Sequence, residues 1–374
     1  MFTKFHLKDY NFKLLIYVTA IMIIGVFAVN SADSSYTFKQ AVGVGAGLVV
    51  MIALSFIDYH FICRFYHIIY IINLVLLMLV LLFGVNVNNA TRWINIGGEN
   101  GIQIQPSELS KILMIIFVAA LLGKFKDRER INTFRCIISF MGFVGLSLLL
   151  IAAEPDLSTT ICLFMVLATM LYVSGLSYKI IGIVLLIFIP LAGSFLWYIQ
   201  LPGQKIILKQ YQINRILSFV YPSKYGDDMS QQNNSIMAIG SGQLTGKGFN
   251  SSTIATVKDA NFISEQQTDF IFSVIGEELG FIGSVIIIAI IMLIVLQCIK
   301  IARRAKDTRG MLIASGLGTL IAFQSFINIG VATGVLPNTG IPLPFISYGL
   351  SSLLSISIGM GLVLNISLQK SNYY

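Results

Sequence analysis

Charge is what this chain has least of. Asp, Glu, Lys and Arg together supply 11% of its 374 residues, where soluble domains carry about 25%. With 56% hydrophobic residues and a mean hydropathy of +0.83, the shortage excludes a soluble globular domain and puts most of the chain in lipid. Cysteine is scarce too. The four, Cys63, Cys136, Cys162 and Cys298, fall within or beside apolar runs and none lies in the one long polar segment, so an external disulfide framework is excluded. Solenoid-period repeats and low-complexity tracts are absent, as is any cluster of metal-ligand spacing. The net charge of +8 does not make a nucleic-acid surface, because the basic residues are scattered through short loops between apolar runs.

What is there is a series of apolar segments at 13–30, 39–57, 65–86, 106–123, 134–152, 158–175, 179–198, 268–298, 309–334 and 348–368. Each is close to the roughly 20 residues that cross a bilayer as a helix. The expected fold is an all-α integral membrane protein of about ten transmembrane helices, one polytopic domain over 1–374. Its single large extracytoplasmic loop, 199–267, lies between spans seven and eight. Counting from a cytoplasmic N-terminus, Arg64, the basic run 124–135, Lys179 and the run 300–309 all fall on inner loops, while Arg92 is alone on the short outer ones. That bias predicts both termini inside, in the cytoplasm. The first run follows Lys4, Lys8 and Lys13 like a signal peptide, but its cleavage pattern is poor and it reads as a retained span.

Within 199–267, Ile206, Ile207, Leu208, Ile213, Ile216 and Leu217 have helical spacing with Lys205, Lys209 and Arg215 opposite, suiting an amphipathic helix at the outer surface. Further on, four glycines and Lys247 fall within 240–249. Glycine-rich backbone can approach a phosphate and Lys247 could add charge, although Walker spacing is missing and a flexible turn accounts for the glycines equally.

Ionisable residues at membrane depth are costly and mark sites by default. Asp269 stands where polar loop gives way to the apolar run 282–298. Partial desolvation there should raise its proton affinity, as a general base requires; a helix N-cap is the competing role. Glu108 and Lys111 share a face in the first turns of the fourth span and can pair. Arg92 and Trp93 lie on the third-to-fourth connection, as functional residues or as interfacial anchors. Glu154 and Asp156 join spans five and six, where Asp156 would also make an ordinary cap. Ser347 and Tyr348 end a connection with prolines at 337, 342 and 344 and no charge, irregular apolar backbone that suits the wall of a lipid-accessible groove. Glu277 and Glu278 lie about two helical turns beyond Asp269. The topology sets most of these residues at the outer ends of different helices, which predicts one outward-facing polar cavity.

The motifs Arg92-Trp93, Gln105-Pro-Ser-Glu-Leu-Ser-Lys111, Glu154-Pro-Asp-Leu-Ser-Thr159, Ala238-Ile-Gly-Ser-Gly242, Gly246-Lys-Gly-Phe249, Thr268-Asp-Phe-Ile-Phe272, Glu277-Glu-Leu-Gly280 and Pro342-Leu-Pro-Phe-Ile-Ser-Tyr-Gly349 occur in order. Together they resemble the SEDS family (shape, elongation, division and sporulation), in a form more like RodA than FtsW, over nearly the whole chain. Ser264, Gln243 and Leu350 stand where the family often has Pro, Gly and Gly.

The resemblance implies a peptidoglycan glycosyltransferase that joins lipid II units into glycan strands at the outer membrane face for elongation and shape, with Asp269 as its essential residue. It implies a class B penicillin-binding protein as transpeptidase partner. On this scheme Asp269 takes the proton of an attacking sugar hydroxyl. Arg92, Lys111 and, less directly, Lys247 and Arg215 offset the leaving diphosphate, Glu108 holds Lys111, and Trp93 with 342–348 lines the groove. A divalent cation, Mg or Mn, on the diphosphate is compatible, though no ligand set marks one. Two competing readings are a lipid II flippase, for which Glu277 and Glu278 would provide the route, and a non-catalytic scaffold that recruits the transpeptidase.

Overall fold

The computed structural model describes residues 10–87, 90–96, 102–199, 213, 215, 217–219, 221, 230–249, 263 and 265–369. A helix occupies each of the ten apolar segments: α1 (Phe12–Ala32), α2 (Thr37–Ser55), α4 (Tyr66–Phe83), α5 (Pro106–Asp127), α6 (Phe134–Ala153), α7 (Leu157–Val173), α8 (Tyr178–Ile199), α10 (Ile271–Arg303), α11 (Thr308–Ala332) and α12 (Leu350–Leu368). Among the described residues, seven of these helices, with α2 extended through the 3-10 turn Ser34–Tyr36, are long and apolar enough to cross a membrane. The described residues also include two short helices, α3 (Tyr59–Arg64) on the α2–α4 connection and α9 (Ser230–Ser241) within the long polar segment.

The most enclosed helices are α5, α11 and α12, and they form the centre of the bundle. α12 lies against α2 and α5, while α11 lies against α5, α7 and α10. Small residues permit the close approaches: a Cβ on Gly316 would meet Met170 Sδ at 2.7 Å, and one on Gly361 would meet the Met51 carbonyl oxygen at 2.7 Å. Without a hydrophobic drive between helices in lipid, such close packing is what holds a bundle together. The outer helices leave large apolar side chains such as Leu149, Leu82 and Ile71 exposed, as a lipid-facing surface requires.

Polar residues fasten the helix ends where α11 begins. Asp307 caps α11 through Gly310 N–H at 2.9 Å and accepts from Tyr59 Oη at 2.7 Å. His60 sits between Asp58, 2.9 Å away, and Asp307, 3.3 Å away.

Three features were not expected from the sequence. The α4–α5 connection is a small antiparallel sheet of β1 (Val85–Val87), β2 (Ala90–Ile96) and β3 (Ile102–Ile104), ordered β1-β2-β3 with Trp93 opposite Val85 and Ile94 opposite Ile104. The β-branched and aromatic residues of Thr91-Arg-Trp-Ile-Asn-Ile96 favour a pleated strand; the sequence reading had placed this stretch only as a connection between spans. The second is α9 itself. The third is a break in α10 at Gly280, whose φ of 64° and ψ of −161° interrupt the helix. The amphipathic helix expected at 206–220 falls mostly outside the described residues; those described at 213, 215 and 217–219 are helical.

The glycines at 242–248 serve this break. Lys247 N–H donates to the Glu277 carbonyl at 3.0 Å and Gly248 N–H to that of Glu278 at 3.1 Å. A Cβ on Gly246 would lie 2.0 Å from the Glu278 oxygen, and one on Gly280 2.3 Å from Gly246 N. Both glycines also have positive φ, a conformation that strains L side chains. In this structure the glycine-rich stretch packs on protein backbone. Gly280→Ala should therefore cost about 2 kcal/mol or more, read as a lowered Tm of the purified protein in detergent, whereas Gly142→Ala, which meets nothing within 4 Å, should not.

Candidate active site

The turn 265–270 carries Asp269 to the mouth of the bundle, and its backbone is tied from two sides. Asn328 Nδ2, from within α11, donates to the Asp269 carbonyl and to the Ile341 carbonyl, both at 2.8 Å. Ser347 Oγ donates to the Thr268 carbonyl at 2.6 Å and accepts from Leu343 N–H at 2.8 Å, while Tyr348 N–H donates to the Gln267 carbonyl at 2.9 Å. Ser347 thus supports the turn. The Tyr348 ring rests against Tyr36, with centroids 4.5 Å apart. The buried 341–347 stretch meets its backbone needs through these polar side chains, as irregular backbone at membrane depth must. Glu265 and Phe345, one in each of the two joined segments, both hold left-handed backbone, with φ of 58° and 68°.

With its backbone held, the Asp269 carboxyl does not cap the helix. The N-cap of α10 is Phe270, and no side chain accepts from the first turn. The capping alternative is thereby set aside. The half-buried carboxyl lies by Gly340, where a Cβ would be 3.3 Å from Asp269 Oδ2 and 3.9 Å from Arg215 Nη1. Burial pushes it up to about 6, against the pull of the Arg215 guanidinium; Glu265 and Asp156 add to the rise and Arg92 opposes it. An aspartic acid that ionises near pH 6 is well placed to accept a proton at neutral pH.

Asp156 is the second node. Its Oδ1 caps α7 by accepting from Thr159 N–H at 3.2 Å and lies 3.7 Å from Arg92 Nη1; its Oδ2 accepts from Gln105 Nε2 at 3.4 Å and Ser107 Oγ at 3.5 Å. Arg92, on β2, also donates to the Pro155 carbonyl. Trp93 follows it on the strand, partly exposed. Ser158 Oγ donates to the Thr339 carbonyl at 2.5 Å, and Gln105 N–H to Ser351 Oγ at 3.0 Å. Through these contacts β2, the start of α5, the α6–α7 turn, the turn 265–270 and the last connection meet at one end of the bundle.

Glu154, at the α6–α7 turn, is fully buried and neither carboxyl oxygen has a partner among the described residues. Burial pushes its carboxyl up to about 8, with the Asp156 charge adding to the rise and Arg92 opposing it. The group therefore stays protonated in the folded protein at neutral pH but ionises in the unfolded chain. Its contribution to stability is complete below the ordinary value of 4.5 and is lost as pH rises towards about 8. Glu154→Gln should flatten that part of the stability profile, measured as Tm at pH 5 and pH 8.

Lys111 and Glu108 form a closed pair, Nζ to Oε1 at 2.7 Å, with the two side chains 3% and 5% exposed. The foremost cation acting on Asp269 is Arg215, which the sequence had ranked below Lys111. Lys247 is likewise engaged, at 2.6 Å from Glu277 Oε1, and Ser31 Oγ donates to Glu278. Lys247, from the glycine-rich stretch after α9, and Glu277 and Glu278, on the pre-break part of α10, form a separate group. Glu277 and Glu278 thus lie at the end of the bundle where α1 terminates, rather than along a path through it.

Sequence reasoning missed Asn328 and Gly340, and it gave Gln105, which opens one of the quoted motifs, no role of its own. A buried amide in the mostly apolar α11 was the available signal for Asn328; nothing local marked Gly340. Among the described residues no three His, Cys, Asp or Glu side chains converge as a metal cage, and Asp156 is already taken up by Arg92, Gln105, Ser107 and its own cap. This donor set does not fit a resident metal, and no step is derived through one.

Comparison with known proteins places the chain. The profile of the family described as cell cycle protein, for FtsW, RodA and SpoVE, matches residues 6–372. The peptidoglycan glycosyltransferase MrdB of Escherichia coli (strain K12) is 31% identical over 370 residues, covering 97% of this chain and 94% of that protein. Stage V sporulation protein E of Bacillus subtilis (strain 168) is 34% identical over 372 residues, covering 95% and 96%. Among solved structures, a chain described under the structural coordination of polymerization and crosslinking by a peptidoglycan synthase complex superposes with a TM-score of 0.78 at 27% identity, covering 96% of this chain and 97% of that one. The rod shape determining protein RodA of Thermus thermophilus gives 0.67 at 25%, covering 97% and 98%. With its order of motifs intact and the match running almost end to end, this membrane protein belongs to the SEDS family of FtsW, RodA and SpoVE.

Proposed function

We propose that the chain is a peptidoglycan glycosyltransferase that polymerises lipid II at the outer face of the bacterial cytoplasmic membrane, through ten spans with both termini inside, in the service of elongation and shape. The observation that carries the reading is the Asp269 carboxyl: released from capping, half-buried, and set beside Arg215 in a turn fixed from two sides. Asp269 takes the proton from the sugar 4-hydroxyl of one unit as that oxygen attacks the anomeric carbon of the other, and the bond to undecaprenyl diphosphate breaks. Fixed charge acts most strongly where charge develops. Arg215 and Arg92 supply it for the departing diphosphate, with Asp156 holding Arg92 in place. The Glu108–Lys111 pair steadies the start of α5, which presents Gln105 and Ser107 to Asp156, and Lys111 would reach the diphosphate only by parting from Glu108. Trp93 and the 342–348 stretch border the groove for sugar and prenyl chain, and any divalent cation would arrive with the diphosphate. A class B penicillin-binding protein is the expected partner.

The deciding experiment incubates the purified protein with lipid II, with and without the partner transpeptidase, and resolves the products by gel. Glycan strands are expected. Translocation of labelled lipid II across vesicles without strand formation would instead favour a flippase.

A further inference from the structure

A second recess lies at the opposite, cytoplasmic end of the bundle. It has a volume of about 490 Å³ and is bounded by the first turn of α1 and the last turns of α10 and α12. Lys13, Lys300 and Arg304 line it together with the amides of Asn11 and Gln297. Among the described residues no carboxylate lies within ion-pairing distance of any of the three cations. Asn11 Nδ2 donates to Gln297 Oε1 at 3.2 Å, which ties α1 to α10, and Gln297 Nε2 donates to nothing among the described residues. The described residues of the recess therefore collect positive charge and an unused donor and include no anion to meet them.

Its surroundings narrow the ligand. Along the same two helices, exposed apolar residues stand within about a turn of the recess: Ile16 follows Lys13 on α1, and Leu296 and Ile299 precede Lys300 on α10. A ligand with a phosphate in the recess and alkyl chains along those residues satisfies both surfaces, which a free phosphate does not. Orientation alone does not require convergence: lysines and arginines act in the positive-inside bias wherever they stand on an inner loop, whereas here opposite ends of the chain are folded onto one cavity. Basic pockets between helices on the cytoplasmic side are known to suit anionic headgroups, and the volume is within the usual range for small-molecule sites.

We propose that this recess binds the phosphate of an anionic phospholipid of the inner leaflet. The test uses the full-length protein in detergent, titrated with short-chain phosphatidylglycerol, with short-chain phosphatidylcholine or with inorganic phosphate, and reads retained lipid by native mass spectrometry and protection by thermal shift. The variants are K13Q/K300Q/R304Q and, as a control from the α5–α6 connection, K124Q/R128Q/R130Q. Each cation near an anionic headgroup is worth about fivefold in binding, so the first variant should hold phosphatidylglycerol at least about tenfold more weakly than wild type. The control should match wild type, and phosphatidylcholine should bind all three alike. Equal retention of phosphatidylglycerol by wild type and K13Q/K300Q/R304Q, or an equal loss in the control, overturns the site. Protection by inorganic phosphate as strong as that by phosphatidylglycerol overturns the assignment to a lipid.

Discussion

Asp269→Asn should abolish strand synthesis from lipid II while the protein still inserts and purifies as wild type. The change is isosteric, the backbone of the turn is held by Asn328 and Ser347 rather than by the carboxyl, and no helix cap is lost. What disappears is a proton acceptor, typically worth about 10²–10⁴-fold in rate. Because burial raises the Asp269 carboxyl to about 6, the wild-type rate should climb with pH through that value and level off above it, since only the ionised form accepts a proton. Arg215→Gln removes the cation that most favours ionisation, so the rising limb should move to higher pH. Initial rates of strand formation between pH 5 and 8 test both points. A limb that stays in place in Arg215→Gln would disconnect the two residues, and strands from Asp269→Asn at the wild-type rate would end the base assignment.

Lys111→Met should produce the largest loss of stability of any single change considered. The pair it breaks is enclosed on all sides, so Glu108 would be left as a buried, uncompensated charge at a cost of about 3–5 kcal/mol. Replacing both partners, as Glu108→Gln with Lys111→Met, removes the stranded charge and should recover most of the Tm in detergent. A single variant that melts like wild type would mean that water reaches Glu108. Strand synthesis by the folded double variant then reports whether Lys111 carries charge to the diphosphate.

The amino-acid sequence by itself determined the helices and which of their ends share a side. Apolar runs of bilayer length leave the backbone no alternative in lipid, since every N–H and C=O must be satisfied within the segment, and all ten runs are helices. It also determined the family, because eight ordered motifs need no geometry to be read. Only the tertiary structure decided which polar residues meet. Lys111 and Arg215 were both candidate cations for the reaction; packing closed the first onto Glu108 and brought the second to Asp269. Lys247 looked like a phosphate ligand among glycines, yet the glycines let backbone approach the break at Gly280 and the lysine reaches Glu277. The reason is one of range: hydrophobic length, periodicity and an i,i+3 pair such as Glu108–Lys111 are local properties of a chain, whereas the proton affinity of Asp269 and the partner of Lys247 depend on groups that sequence separates by tens of residues or more and only packing brings within a few ångströms.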